Sequence, residues 1–212
     1  MIPRRTARAL IVAPHSDDET IGCFALVRRL RRRGTRVRLL IVTDGGASHP
    51  GSVRWPRRRL AAARAAETRR AARRMGLTAA DCHFLGLPDG DLAADPTAAH
   101  RIAAAAARWG ARLVVGPCAG DDHADHRTTA RHLAAARLPG ARRLGYRVWP
   151  QGTRRRDAHA LILDARDRLA KRATLRGYRT QCGAISDDPS GFAMTPRQIA
   201  GFTRQREWFA RA

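Results

Sequence analysis

ALIVAPHSDDE, residues 9–19, joins an apolar run to one imidazole and three carboxylates that fall within five consecutive positions. A short β-branched run that ends at a proline is typical of a buried strand. Ser16, followed by Glu19 three residues later, predicts a capping box at the start of a helix. The polar cluster is therefore expected at a strand-to-helix turn, where open α/β sheets bind ligands outside the carboxyl ends of their strands.

Further strand signals alternate with helical stretches rich in Ala, Arg and Leu. The predicted strands are Leu10–Ala13, Val37–Thr43, Cys82–Leu87, Leu113–Pro117, Tyr146–Trp149 and Leu161–Leu163. This alternation predicts an α/β fold, a Rossmann-like, doubly wound and mostly parallel sheet with helices on both faces. A length of 212 residues suits a single domain over residues 1–212.

Several helix ends are marked by capping residues. Gly76 follows a helical stretch at 57–75, and Gly110 follows another at 98–109. Thr195-Pro196-Arg197-Gln198 combines a capping box with proline at the first helical position, which predicts the start of the last helix.

The charge balance is strongly basic, with 41 Lys and Arg against 18 Asp and Glu and a net charge of +23. Such a charge attracts phosphates by long-range steering. The arginines, however, are scattered over several predicted helices and are not interleaved with aromatic residues, as a nucleic-acid platform requires. We therefore attribute the many arginines to a preference for arginine codons and do not expect nucleic-acid binding. An anionic substrate such as a sugar phosphate remains an alternative.

Cysteine usage and hydropathy bear on location. The four cysteines form no C-x-x-C pair, which indicates free thiols in a reducing cytoplasm rather than a disulfide framework or a structural zinc site. No apolar run approaches the roughly 20 residues that a membrane helix needs, and the basic start leads into no long apolar segment. We expect a cytoplasmic protein without a transmembrane segment.

A second polar cluster, DDHADH at residues 121–126, follows the predicted strand Leu113–Pro117 and precedes a helical stretch. Two neighbouring strands of a parallel sheet would bring both clusters to the same edge. Helix capping alone would explain either cluster in isolation, but burying so many charges at the ends of two core strands is costly without a metal. The imidazoles and carboxylates suit Zn²⁺ or a similar divalent ion held by three protein ligands, with one open position.

A hydrolytic metal site needs one carboxylate left off the metal to accept a proton from water, and a group that faces the developing oxyanion. Asp17 and Asp18 are consecutive, so their side chains diverge. One of them can bind metal while the other acts as the base.

Both clusters together resemble the paired signature of the PIG-L/LmbE-like family, zinc-dependent deacetylases of N-acetylglucosaminyl compounds. The resemblance rests on Pro14-His15-Ser16-Asp17-Asp18-Glu19 and His123-Ala124-Asp125-His126, and it extends through residues 42–45, 64–67, 84–90 and 178–181.

That resemblance implies a role for each matching residue. His15, Asp18 and His126 would bind zinc, Asp17 would be the general base, and protonated His123 would stabilise the oxyanion with Asp125 behind it. Arg64 and Asp89 would contact sugar hydroxyls of a small acetylated amino-sugar substrate, which would be hydrolysed to free amine and acetate. Some members carry a tyrosine where Asp121 stands, so an oxyanion role for that tyrosine does not carry over.

Two other functions stay open. Two histidines and one carboxylate also describe the facial triad of non-haem iron oxygenases, so Fe²⁺ is an alternative to Zn²⁺, although the strand and helix pattern and the spare Asp17 argue against an oxygenase. A basic protein that binds nucleic acid or a membrane surface is the second alternative, and the sequence is compatible with an oligomer. His49, Trp55, Trp149 and Cys118 are weaker candidates for substrate or metal contacts.

Overall fold

The computed structural model of the chain describes residues 6–151 and 156–212. In these residues seven strands form one sheet. The strands are β1 (Arg8–Ala13), β2 (Arg36–Thr43), β3 (Cys82–Leu87), β4 (Leu113–Pro117), β5 (Arg142–Tyr146), β6 (His159–Ile162) and β7 (Arg206–Arg211). The α-helices are α1 (Asp18–Arg32), α2 (Arg57–Arg74), α3 (Ala98–Trp109), α4 (Ala124–Ala135), α5 (Ala165–Leu175) and α6 (Pro196–Phe202).

The strand order is β3-β2-β1-β4-β5-β7-β6. The first five strands in this order are parallel, whereas β7 runs antiparallel to both of its neighbours. The order reverses between β1 and β4, which pair with Ala9 opposite Leu113. Because ligands bind at such a switch point in open α/β sheets, the polar clusters that follow β1 and β4 lie where a site is expected.

Side chains of β1 alternate between the two faces of the sheet. Ile11 belongs to one apolar cluster with α1, whereas Leu10 and Val12 belong to a second cluster with α3. Apolar side chains thus cover both faces of the sheet, and the predicted α/β fold with a mostly parallel sheet is confirmed.

Two strand predictions differ from the structure. The predicted strand Tyr146–Trp149 is displaced to Arg142–Tyr146, because the N–H groups of Val148 and Trp149 donate to the carboxylate of Asp121 and not to a neighbouring strand. Strand β7 was not predicted, because the charged residue Glu207 stands at one of its buried positions and interrupts the apolar pattern of the strand.

The end of α3 and the start of α6 follow the predicted capping signals. Helix α3 ends at Trp109, and Gly110 behind it adopts the left-handed conformation with φ of 60°. Thr195 and Gln198 form the predicted capping box of α6. No helix in the described parts of the chain combines the length and apolarity needed to cross a membrane.

A buried ion pair joins α1 to the later part of the chain. Nζ of Lys171, the sole lysine of the sequence, lies 2.9 Å from Oε1 of Glu207, and both side chains are 1% exposed. Lys171 also donates to the main-chain oxygen of Ile21, while Glu207 accepts from the N–H groups of Ala25 and Leu26. The pair therefore bonds to main-chain groups inside the helix that begins at the first polar cluster.

Glu207→Ala is expected to lower the free energy of unfolding by about 3–5 kcal/mol, because it leaves a buried ammonium group without its partner. Urea denaturation measures the change. The matched control is Asp122→Ala, which breaks the 3.5 Å pair of Arg147 with a carboxylate side chain that is 64% exposed. That control is expected to cost less than about 1 kcal/mol. Similar losses in the two variants would contradict the importance of the buried pair.

Candidate metal centre

The turns that follow β1 and β4 meet at the carboxyl edge of the sheet. His15 lies in the turn after β1, and Asp18 is the first residue of α1. His126 lies in the first helical turn of α4. All three residues are buried: His15 is 8% exposed, Asp18 is 2% exposed and His126 is fully enclosed. Strand pairing thus joins two clusters that are more than 100 positions apart in the sequence.

Three potential ligand atoms converge at this edge and form a ligand triangle. Nδ1 of His15 lies 3.3 Å from Oδ2 of Asp18 and 3.3 Å from Nε2 of His126, and the last two atoms are 3.1 Å apart. A tetrahedral zinc ion with bonds of about 2.0–2.2 Å separates its ligand atoms by about 3.3–3.6 Å. Two imidazoles and one carboxylate at this spacing are a donor set that fits zinc or a similar divalent ion.

The other nitrogen of each imidazole faces a carboxylate. Nε2 of His15 lies 3.0 Å from Oδ2 of Asp125 and 3.1 Å from Oδ1 of Asp89. Nδ1 of His126 lies 3.2 Å from Oδ2 of Asp121. Metal-ligating histidines are usually oriented in this way, because a carboxylate at the far nitrogen fixes the tautomer and makes the ligand more basic.

These carboxylates shift the pKa values of the imidazoles and of Asp18. Burial lowers the pKa of His126, but Asp18 and Asp121 outweigh burial and raise that pKa to about 9. Burial likewise opposes protonation of His15, whose pKa its carboxylate partners nevertheless raise well above the usual value. Against its own burial, Asp18 has a pKa far below the usual range because the two imidazoles face it.

Asp17 stands beside the three ligand atoms in a strained conformation. Its φ of 125° is the single positive φ among the described non-glycine residues. Such a backbone costs about 1–3 kcal/mol and persists only where its surroundings hold it. Burial raises the pKa of its carboxyl group to about 8, an effect that Arg64 partly offsets. Asp17 thus lies next to the ligand triangle, and its carboxyl group has a pKa close to neutral pH.

Glu19 holds the main chain of Asp17. Its Oε2 accepts the Asp17 N–H at 3.0 Å, and its Oε1 accepts the hydroxyl of Tyr178. Glu19 and Tyr178 are both completely buried. The predicted capping box of Ser16 and Glu19 is not formed: the N-cap residue of the helix is Asp17, whose side chain makes no capping hydrogen bond, and the Glu19 carboxylate bonds to the Asp17 N–H instead.

Arg64 lies beside Asp17 and is 3% exposed. Its two terminal nitrogens donate to the main-chain oxygens of Gly45 and Ser16, and Nη2 lies 3.8 Å from Oδ1 of Asp17. Gly45 adopts φ of 67°, and a Cβ atom there would lie 3.0 Å from the Arg64 side chain. Arg64 therefore braces the first turn, and its contact with a sugar hydroxyl stays a prediction.

His123 borders the ligand triangle, with its ring centroid 4.7 Å from that of His15 and 5.0 Å from that of His126. Its Nδ1 accepts the main-chain N–H of Asp125 at 3.2 Å, so the neutral ring carries its proton on Nε2. Burial and the two neighbouring imidazoles lower the pKa of His123. The structure thus favours a neutral donor where the sequence suggested a protonated one.

The Asp125 carboxylate does not stand behind the His123 ring, as the resemblance had implied. It contacts His15 and accepts the N–H groups of Gly90 and Leu92. Asp89 likewise has two partners: its Oδ1 contacts His15, and its Oδ2 accepts the N–H of Ala47. Both carboxylates orient the imidazole of His15, because the loop after β3 lies against the turn after β1.

Sequence reasoning missed the contacts of Asp121 and Tyr178. The Asp121 carboxylate faces His126 and accepts the N–H groups of His123, Val148 and Trp149. The acidic cluster marked Asp121 as a candidate without indicating its partners. The family resemblance includes Tyr178, but nothing local indicated its contact with Glu19, which spans 159 positions.

A cleft of about 680 Å³ opens above these residues. Its lining includes His15, Asp17, Asp18, Arg64, Asp89, His123 and His126. The long loops at 44–56 and 183–195 form part of its walls, and Trp149 also lines it. All of the predicted site residues except Asp125, which supports His15 from behind, therefore face one cleft.

The weaker candidates differ in whether they line the cleft. His49 is 3% exposed and packs against Gly191, so it joins the two long loops and does not line the cleft. Trp55 stacks with Arg59 away from the cleft, and Cys118 is buried outside the lining. Of these candidates, Trp149 alone is placed to contact a substrate.

Solved structures share this fold. The N,N'-diacetylchitobiose deacetylase of Pyrococcus horikoshii, determined with its inhibitor MPG, aligns with a TM-score of 0.76 and 21% identity over 99% of this chain and 85% of that one. A conserved protein of Thermus thermophilus aligns with a TM-score of 0.73 and 22% identity over 95% and 93%. A deacetylase of teicoplanin biosynthesis, in complex with teicoplanin, aligns with a TM-score of 0.68 and 17% identity over 97% and 98%.

At these identities the likeness establishes the fold alone. No curated protein matches the chain. The family model PIG-L, described as GlcNAc-PI de-N-acetylase, matches residues 10–137, which contain both polar clusters. This match confirms the resemblance seen in the sequence, and because it covers more than half of the chain, the protein is a member of the PIG-L family.

Proposed function

We propose that this protein is a metal-dependent N-deacetylase that hydrolyses the acetamide of an N-acetylglucosamine-type sugar conjugate to a free amine and acetate. The observation that carries the proposal is the convergence of His15 Nδ1, Asp18 Oδ2 and His126 Nε2 beside a second carboxylate, that of Asp17, which lies outside the triangle. Family membership supports the class of reaction.

His15, Asp18 and His126 would hold the metal, and the two-imidazole, one-carboxylate donor set suits Zn²⁺. When bound, the ion polarises the acetamide carbonyl and lowers the pKa of a water molecule at its open position. Asp125 and Asp89 keep the His15 ring in place, and Asp121 does the same for His126. The protein would thereby fix the direction of both imidazole ligands before the substrate arrives.

Asp17 is the group placed to move protons. As a carboxylate it accepts a proton from the attacking water, and as a carboxylic acid it returns that proton to the departing amine, so the amide C–N bond breaks with the proton balance closed. A carboxyl group whose pKa is raised towards neutrality by burial can serve in both directions. Arg64, 3.8 Å away, favours its ionised form.

His123 is the group placed to meet the oxyanion. Its Nδ1 is occupied by the Asp125 N–H, so Nε2 is the atom that donates. A neutral imidazole fixed by a main-chain hydrogen bond is a preorganised donor, and such donors contribute strongly to acyl transfer.

Asp17→Asn is expected to lower acetate release from a panel of N-acetylglucosamine conjugates by about 10²–10⁴-fold, because the amide cannot accept the proton. Zinc content, measured by elemental analysis, should stay as in the wild type, since Asp17 is not a ligand. The matched control, Asp122→Asn, changes an exposed carboxylate outside the cleft and should leave turnover within about twofold. Unchanged turnover in Asp17→Asn would remove Asp17 from the mechanism.

Glu19→Ala is expected to lower kcat by about tenfold or more with KM nearly unchanged, because the Asp17 N–H loses the acceptor that helps to hold its strained backbone. Glu19→Gln keeps an acceptor oxygen and should restore most of kcat. Steady-state kinetics and zinc affinity are measured for both variants. A kcat loss that simply follows loss of zinc, or no loss in Glu19→Ala, would show that Glu19 does not position the base.

Zinc affinity is expected to rise with pH between about 6 and 8, by up to about tenfold per pH unit for each proton displaced. In the metal-free protein the raised pKa of His126 keeps its ring protonated below about 9, and His15 is also stabilised in its charged form, so the ion must compete with protons on both rings. Competition with a chelating indicator at several pH values measures this dependence. A pH-independent affinity over that range would contradict it.

A further inference from the structure

One wall of the cleft is apolar although its floor is charged. Trp149 and Phe192 pack together and form this wall, and the apolar residues Ile21, Pro50 and Ala193 also line the cleft. Trp149 packs edge-to-face on Phe202 with a centroid separation of 5.4 Å, and its main-chain N–H bonds to Asp121. Phe192 packs edge-to-face on Trp149 at 6.2 Å and keeps 37% of its surface exposed. The structure therefore holds one aromatic ring firmly and leaves a second one open at the mouth of the cleft.

This wall is fixed by hydrogen bonds between the two long loops. The N–H of Phe192 donates to the main-chain oxygen of Ser48 at 2.8 Å. Asp188 accepts the Gly51 N–H at 2.8 Å, and Asp187 accepts the Ser52 hydroxyl at 2.8 Å. An exposed phenylalanine on such a braced loop is a preformed apolar surface, because the loop needs no ordering when a ligand binds.

The size of the cleft exceeds what an acetamide and its sugar ring require. At about 680 Å³ it lies within the range of roughly 300–1,000 Å³ of sites that enclose drug-sized ligands. A sugar ring presents hydroxyl groups, for which the charged floor and the polar residues nearby provide partners. Apart from the indole N–H of Trp149, the apolar wall provides none, so it suits an apolar part of the substrate.

The charge of the lining argues against a phosphate in this position. Among the described residues that line the cleft, Arg64 is the single arginine or lysine, and its terminal nitrogens already donate to main-chain oxygens. The carboxylate of Asp89 faces the same space. The described lining of the cleft is therefore not basic, although the whole sequence has a net charge of +23.

We infer that the sugar substrate carries an uncharged apolar aglycone, aryl or alkyl, that packs on Trp149 and Phe192. This inference rests on the proposed deacetylase function and names the class of conjugate that the same site selects. Aromatic side chains contribute strongly to binding through the area they bury, which gives the selection its physical basis.

The test compares acetate release from N-acetylglucosamine, its phenyl and hexyl glycosides and its 1-phosphate by the zinc-loaded protein. We expect kcat/KM for one of the apolar glycosides to exceed those for the free sugar and the phosphate by about tenfold or more. Phe192→Ala should reduce that ratio to below about threefold. The control Val53→Ala removes an apolar side chain that is 89% exposed on the same loop system but outside the lining, and it should leave the ratio unchanged.

The outcomes separate this inference from the proposed function. Acetate release from none of the sugars would contradict the deacetylase itself. Release at equal efficiency from all four, or a preference for the phosphate, would overturn the apolar aglycone alone. Calorimetric binding of the phenyl glycoside to the metal-free protein gives a readout besides activity, and equal affinity of the wild type and Phe192→Ala would also overturn it.

Discussion

The parallel pairing of β1 with β4 is the constraint on which the rest of the site depends. It places the turns after the two strands side by side, so that His15 and Asp18 face His126 across the switch point of the sheet. Three ligand atoms separated by 3.1–3.3 Å share one small space, which neither turn could create alone. Displacing either strand by one residue would turn its own side chains to the opposite face of the sheet and would move the turn that follows it.

Buried charges at this density are tolerated because almost every carboxylate accepts main-chain N–H groups. Asp125 accepts those of Gly90 and Leu92, while Asp121 accepts those of Val148 and Trp149. Glu19 accepts that of Asp17. The same bonds that offset the cost of burial also fix the direction of the imidazoles and the main chain of Asp17, so stability and preorganisation have one physical origin.

The surface and the cleft differ in character. The net charge of +23 dominates the composition. The described lining of the cleft nevertheless holds one arginine, which already donates to main-chain oxygens, together with several carboxylates and an aromatic wall. For the proposed deacetylase, substrate selection would therefore depend on local groups such as Phe192 rather than on long-range attraction. Composition alone left an anionic substrate open, because it counts charges without placing them.

The sequence by itself determined the fold class, the positions of the capped helices and the two polar clusters, because hydrophobic periodicity, capping residues and adjacent ligand-type side chains are local features. It also carried the family resemblance, which the match over residues 10–137 confirms. It misjudged β5 and missed β7, since Asp121 takes the N–H groups of Val148 and Trp149, and Glu207 is buried within a strand. Only the tertiary structure decided that Asp125 supports His15, that Tyr178 and Glu19 hold Asp17, and that Trp149 reaches the cleft. These contacts join residues that are distant in the chain, and no local pattern encodes which distant side chain will complete a buried hydrogen bond.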